Sequence, residues 1–316
     1  MSPKRCVRIE TGARLHFGLL GTKPPFGGLG VMIDQPSTVL ECAASDSFTT
    51  EIGIQDRATA IAQRLCQIDQ QTTLPKVAIR VLQAASPHSG FGSGTQLSLA
   101  IADGLCRFVG TKVSRETLAC EIADRGKRSA VGVHGFFHGG LIFESSDRRC
   151  GKLNPIQRRV ELPEDWRVVL LRPVINVPSV SGTRESEHFA RLESNPDGCQ
   201  DGLVEKITQE ILPAADTGDF ATFARSVGQY NFASGMLFAP TQGGAYNGKV
   251  VTELVNQLKS RGHEGIGQSS WGPGVFVWCE NDSSARKLAR ELAEDFTGRD
   301  LQIEIAKVKN DGRHIG

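Results

Sequence analysis

The sequence predicts an α+β chain in two domains, residues 1–160 and 161–316, and three observations carry that reading. At 316 residues it is longer than one hydrophobic core usually serves. In the first half a β-branched run, Val77 to Leu82, precedes a glycine-rich loop, and apolar residues at helical spacing follow it (Leu97, Ala100, Ile101, Leu105, Phe108). The end of the chain runs strand (Val275 to Cys279), helix (Ala285 to Phe296) and alternating strand (Leu301 to Val308). That order suits helices on one face of an antiparallel sheet.

Taken in order, Val7 to Leu20 reads as a strand interrupted by Gly12 and Gly18, and Gly21 to Gly30 as a surface loop before a second strand near Val31 to Ile33. Ala58, Ile61, Ala62, Leu65 and Ile68 repeat with helical period, and Val77 to Leu82 reads as a buried strand. Ser114 stands where a helix cap is needed, without the Glu or Gln that would complete a capping box. Gly139 to Glu144 is a further strand. The polar segment Asp147 to Asp165, with Pro155 and Pro163, marks the domain boundary. Beyond it come a strand at Arg167 to Arg172, helices at Leu203 to Leu212 and Phe220 to Gln229, and an amphipathic helix through Tyr246, Val250, Val251, Leu254, Val255 and Leu258.

Composition removes several classes of function. A formal net charge of +1 gives no global field for nucleic acid or an anionic membrane, so any anion site is local. No run of 18 apolar residues offers a membrane span, and Met1 to Ile9 lacks the apolar stretch of a signal peptide. Eight scattered cysteines without a Cys-x-x-Cys pair read as reduced thiols of a cytoplasmic protein, with Cys106 and Cys279 as buried apolar groups.

The chemistry concentrates in a few segments. Pro87 to Thr95 contains Gly90-Phe91-Gly92-Ser93-Gly94-Thr95 between strand and helix. Glycines there let backbone amides approach an anion, and the helix adds its open amides and positive dipole end. Ser93 and Thr95 add hydroxyls, but no Walker lysine follows. A second cluster, Gly265 to Gly274 with Gly267, Gln268, Ser269 and Ser270, reads either as a hairpin turn or as a second wall facing the first. Alternation puts Arg14 and His16 on one face of the first strand and Leu15 and Phe17 on the other. His134 and His138 share helical i, i+4 spacing without the Glu of a zinc motif, and His88 lies inside the first glycine loop. Arg172, Arg184, Glu185 and Gln242 bring polar groups into irregular chain, where substrate contacts often lie.

Together these motifs resemble the GHMP kinase superfamily. Pro87 to Thr95 is similar to its phosphate loop and Gly265 to Gly274 to its C-terminal glycine motif. The resemblance implies an N-terminal mixed α/β domain and a C-terminal ferredoxin-like α+β domain. The sequence departs from the kinases where their substrate-orienting aspartate stands: here the segment is Val131-Gly132-Val133-His134, without a carboxylate. Gly12 to Leu20, Gly90 to Gln96 and Arg128 to Gly132 more closely resemble the β-ribofuranosylaminobenzene 5′-phosphate synthase family, which shares the superfamily's fold. That resemblance implies a decarboxylating pentosyltransferase. It joins phosphoribosyl pyrophosphate to 4-aminobenzoate or 4-hydroxybenzoate, with Mg²⁺, on the way to tetrahydromethanopterin.

On that reaction Arg14 and His16 are the expected catalytic pair, and residues 90–95 with Gly265, Gly267, Gln268, Ser269 and Ser270 the expected phosphate or pyrophosphate contacts. His134, Arg172, Arg184, Glu185 and Gln242 are the expected substrate contacts, with no metal ligand assigned. A homodimer is expected, and neither nucleic acid nor membrane as partner. The competing readings are an ATP-dependent GHMP kinase and a non-catalytic binding protein on the same fold.

Overall fold

The computed structural model describes residues 5–87, 89–146, 152–174, 200–295 and 301–316. The first sheet is built on two long antiparallel strands, β1 (Cys6–Leu19) and β2 (Gly28–Ala44). The short β3 (Thr49–Thr50) leads to α1 (Gln55–Ile68), β4 (Val77–Gln83) and α2 (Ser93–Val109). Next come α3 (Val131–His138), β5 (Leu141–Glu144) and β6 (Ile156–Val160). β5 pairs with the start of β2 and β4 with its end.

The next strand, β7 (Arg167–Pro173), opens a second sheet with β8 (Ile266–Gln268), β9 (Val275–Cys279) and β10 (Leu301–Lys307). Its order is β10-β7-β9-β8, and every pair is antiparallel. Between β7 and β8 lie α4 (Gln200–Lys206), α5 (Leu212–Thr217), α6 (Phe220–Met236), α7 (Ala239–Gln242) and α8 (Lys249–Ser260), and α9 (Asp282–Asp295) precedes β10. This is the ferredoxin-like arrangement expected of the C-terminal part. The chain does not end there. Its tail returns to the first sheet, where β11 (His314–Ile315) pairs with β1.

Bulges in β1 decide which side chains reach which layer. Before the irregularity between Thr11 and Ala13, Ile9 packs with Leu99, Ile101 and Leu105 of α2. After it, Ala13, Leu15 and Phe17 turn to the other core, with Val168, Phe223, Phe276 and Trp278. One extra residue exchanges the two faces of a strand. Arg14 and His16 thereby come to lie on the side of α2 and α3. The core around Phe17 joins both sheets: its ring centroid is 5.3 Å from that of Phe276 and 6.2 Å from that of Trp278. The second sheet buries its other face under α8 and α9.

Two local expectations change. β4 is buried only at its start, because Arg80, Leu82 and Gln83 stand near the sheet edge and are exposed. The segment after Ser114 is a π-helix over Thr117–Ile122, with the Ser114 hydroxyl accepting from the Thr117 amide at 3.0 Å. Cys106 and Cys279 are buried free thiols, and burial pushes both up to about 12. Among the described residues no helix is long and apolar enough to cross a membrane.

Candidate active site

The site is a cleft of about 590 Å³ where the end of β1, the start of α2, the segment before α3 and the β8–β9 turn converge. Gly92 shapes one wall. It sits at φ +73°, a left-handed conformation that caps α2, and a Cβ there would lie 3.1 Å from Arg14 Cβ and 3.2 Å from Arg14 Nε. The Gly92 carbonyl accepts from the amides of Thr95 and Gln96. The amides of Ser93 and Gly94 come before the helix's own hydrogen bonding begins, so they are donors for an anion.

The second glycine cluster braces the first. Gly272 meets the backbone of Gly90 so closely that a Cβ would fall 2.4 Å from Gly90 Cα. The Ser269 hydroxyl donates to the Gly90 carbonyl at 2.8 Å and accepts from the His16 amide at 3.1 Å. The Arg14 amide donates to the Phe91 carbonyl at 3.0 Å. β1, loop and hairpin are therefore tied together by main-chain groups and the Ser269 hydroxyl.

The cleft is strongly cationic although the chain is nearly neutral. Arg14, Arg57, Arg125, Lys127 and Arg128 line it, with Asp124 as the lining carboxylate. Asp124 already pairs with Lys127 at 2.7 Å, and the Lys127 hydrogen bond holds its carboxyl below the usual range. The Arg57 guanidinium donates to the Gly94 carbonyl at 3.4 Å, and that of Arg125 to the Ser98 hydroxyl at 3.0 Å. Burial lowers the pKa of both arginines, which keep their charge at any ordinary pH. His16 is buried, with its Nε2 3.0 Å from the Ser129 hydroxyl. Burial first, and the charge of Arg14 second, hold it well below 6.5, so its ring is neutral at pH 7. The rest of the lining includes uncharged residues, among them Phe238, Trp271, Gln242, Asn231 and Ser234.

Of the residues expected at the site, Arg14, His16, Gly90, Gly92, Ser93, Gly94, Thr95, Gln242, Gln268 and Ser270 line this cleft. Phe91 offers its carbonyl to Arg14, while its ring is buried. Others are corrected. A Cβ on Gly265 would meet Ala224 at 2.9 Å, and one on Gly267 the Phe276 ring at 2.4 Å. Both glycines serve chain packing, not phosphate approach. Ser269 bonds to main-chain groups of the loop and β1, and the Gln268 side chain spans the Asn247 amide and the Gly272 carbonyl. His134 is outside the cleft lining; its Nε2 donates to the Asn154 carbonyl at 2.7 Å. Arg172 is outside the cleft lining; its Nε donates to Oε1 of Gln302, its register partner on the edge strand β10, at 3.0 Å. His88, Arg184 and Glu185 lie outside the described residues.

Sequence reading missed the cationic segment Asp124-Arg125-Gly126-Lys127-Arg128, although three cations in four residues beside a glycine were a visible signal. It also missed Arg57, which sits on an ordinary amphipathic helix. A third omission is the polar edge of α6. Tyr230, Asn231 and Ser234 donate to the carbonyls of Gly18, Phe17 and Leu19 at 2.9, 2.7 and 2.7 Å. They hold the bulged end of β1 in place.

Family models described as GHMP kinases N terminal domain and GHMP kinases C terminal match residues 56–140 and 211–298. The first takes in the loop at 90–95 and the segment at 124–129; the second takes in the hairpin that braces them. The chain belongs to the GHMP kinase superfamily. It is 28% identical to a β-ribofuranosylphenol 5′-phosphate synthase of Methanothermobacter thermautotrophicus, covering 90% of this chain and 92% of the relative. It is 26% identical to one of Archaeoglobus fulgidus, covering 98% and 99%. Among solved structures it is similar to a homoserine kinase from Cytophaga hutchinsonii (TM-score 0.69, 16% identity, covering 100% and 99%). A mevalonate pyrophosphate decarboxylase from Streptococcus pyogenes is also similar (TM-score 0.64, 18% identity, 98% of each chain). The superfamily fold thus spans this whole chain, and its near-full-length curated relatives are synthases.

Proposed function

We propose that this enzyme is a decarboxylating pentosyltransferase that joins the ribosyl group of phosphoribosyl pyrophosphate to a para-substituted benzoate. The product is a C-riboside 5′-phosphate of the tetrahydromethanopterin route. The relatives are named for a phenol product, which favours 4-hydroxybenzoate over 4-aminobenzoate as the acceptor. One observation carries the reading: five cations and a helix start converge on a cleft whose lining carboxylate is already tied to Lys127.

In this reaction the bond from the anomeric carbon to pyrophosphate breaks, and its electron pair leaves with pyrophosphate. The ring carbon bearing the carboxylate supplies the pair for the new C–C bond. Loss of carbon dioxide then returns the electrons to the ring, so no hydroxyl proton must be removed. Charge building on the leaving group is the main electrostatic problem, and preorganised cations and amides answer it. Arg14, Arg125, Arg128 and the amides of Ser93 and Gly94 are the groups for that task. Neutral His16 beside Ser129 supplies hydrogen-bonding capacity without a further charge. The aromatic pair in the lining, Phe238 and Trp271 at 5.4 Å between ring centroids, suits the benzoate ring.

Magnesium belongs to this proposal as a partner of the pyrophosphate. Among the described residues no three His, Cys, Asp or Glu side chains form a metal site. The oxygen donors at hand, Asp124 and the hydroxyls of Ser93 and Thr95, fit an ion held largely by substrate phosphates. Such an ion would neutralise the leaving group's charge.

The test is incubation with phosphoribosyl pyrophosphate, magnesium and carboxyl-labelled 4-hydroxybenzoate, following labelled carbon dioxide and pyrophosphate in equal amounts. Silence with both benzoates would defeat the reading, and ADP formation from ATP with a small-molecule acceptor would replace it by a kinase.

A further inference from the structure

The segment Asp124 to Ser129 carries three of the five cations of the cleft, and it is neither helix nor strand. A loop holding like charges side by side needs fixed anchors. At its beginning the Arg125 amide donates to the Ala119 carbonyl at 2.8 Å. At its end the Ala130 amide donates to Glu144 Oε2 at 2.6 Å, and Asn154 Nδ2 donates to the Arg128 carbonyl at 3.3 Å. His134 in turn donates to the Asn154 carbonyl at 2.7 Å. Glu144 and Asn154 have no exposed surface. Neither residue lines the cleft.

Glu144 is a carboxylate at the last position of β5, in the core, one residue before the chain leaves the sheet. β5 is locked to β2 by the pairing of Glu144 with Gly28, and Gly28 lies against the His16 ring: a Cβ there would be 3.3 Å from His16 Nε2. The same carboxylate that receives the Ala130 amide is thus fixed to the strand next to His16, which contacts Ser129. A buried carboxylate is costly unless hydrogen-bonded, and the amide ahead of α3, at the positive end of that helix, is a strong partner.

We infer that Glu144 is a positioning residue for pyrophosphate binding: through the Ala130 amide it holds Arg128 and Ser129 at the cleft. Asn154, steadied by His134, is the second anchor of the same segment. This rests on the cleft being a pyrophosphate site, but not on the carbon–carbon bond-forming step.

The test uses the full chain and inorganic pyrophosphate with magnesium, titrated by calorimetry into wild type, Glu144→Ala, Arg128→Ala and the double variant. Glu144→Ala should weaken binding about tenfold, and the double variant should bind within about twofold of Arg128→Ala alone. Glu144→Gln keeps an acceptor for the Ala130 amide and should recover most of the loss. Additive losses in the double variant, or a Glu144→Ala affinity within twofold of wild type, overturn the inference. If Glu144→Ala fails to fold, Asn154→Ala enters the same cycle with Arg128→Ala and is judged by the same outcomes. Wild type that binds pyrophosphate but releases no carbon dioxide would defeat the synthase reading and leave this one standing. Wild type that binds no pyrophosphate overturns this one.

Discussion

The two glycine clusters look alike in sequence and do different work. At 90–95 the backbone borders the cleft, and Gly92 adopts φ +73° to start α2 beside Arg14. At 265–274 the glycines let chain approach chain: Gly267 fits under the Phe276 ring, and Gly272 lies against Gly90. The first cluster borders the cleft with its backbone, and the second braces the first while adding Gln268 and Ser270 to the lining. Glycine richness reports a close approach without saying what approaches.

Substitutions can break or sharpen that contrast. The largest expected effect is at the residue the first cluster packs against. Arg14→Ala should lower kcat/KM for the synthase reaction about 10²- to 10³-fold while the melting temperature stays close to wild type. Near-normal turnover would remove Arg14 from the chemistry. Gly267→Ala should act on folding instead, because its Cβ would sit 2.4 Å from the Phe276 ring and 2.6 Å from Asn231. A loss of about 3 kcal/mol in urea unfolding is expected, with pyrophosphate affinity of the folded protein retained. A loss of affinity at full stability would place the second cluster on the ligand after all. Gly92→Ala should do the reverse, weakening pyrophosphate about tenfold for a stability cost of roughly 1–2 kcal/mol.

A smaller effect concerns His16. Its folded pKa lies below the ordinary 6.5, so the unfolded chain takes up the proton first as pH falls. Its contribution to stability is fully present above pH 6.5 and is lost as pH falls from there toward the folded pKa. His16→Gln should flatten that part of the urea-unfolding profile between pH 7.5 and pH 5. Equal slopes in both proteins would show that the ring titrates normally. The smallest effect is expected from Arg172→Ala, which sits on Gln302 away from the cleft: stability within about 0.5 kcal/mol and unchanged KM for both substrates.

Much of the site was readable in the sequence where one short segment carries its own geometry. The loop at 90–95 lies between a strand and a helix that periodicity alone reveals, and Arg14 with His16 shows in strict alternation. Arg57 was not readable, since a cation on an amphipathic helix is ordinarily a solvated one. His134 was misread because its spacing with His138 says nothing of Asn154, the residue it bonds. Arg172 was misread because an arginine on a strand looks the same lining a cleft or bonded to a neighbouring strand, as it is here to Gln302.

The sequence by itself determined the α+β composition of the chain, the glycine turn ahead of α2, and the absence of a kinase-like carboxylate near His134. The first two follow from local rules, period and turn chemistry within a few positions; the third follows from the resemblance to the GHMP kinases, which says where the carboxylate would stand. Only the tertiary structure decided that the bulge after Thr11 turns Arg14 and His16 toward α2, that the hairpin at 265–274 supports the loop, and that Arg57 and the segment at 124–129 reach the same cleft. Face choice on a bulged strand and convergence of distant segments depend on which surfaces are buried together. That is settled by the shared core around Phe17, Phe223 and Phe276, not by any one stretch of chain.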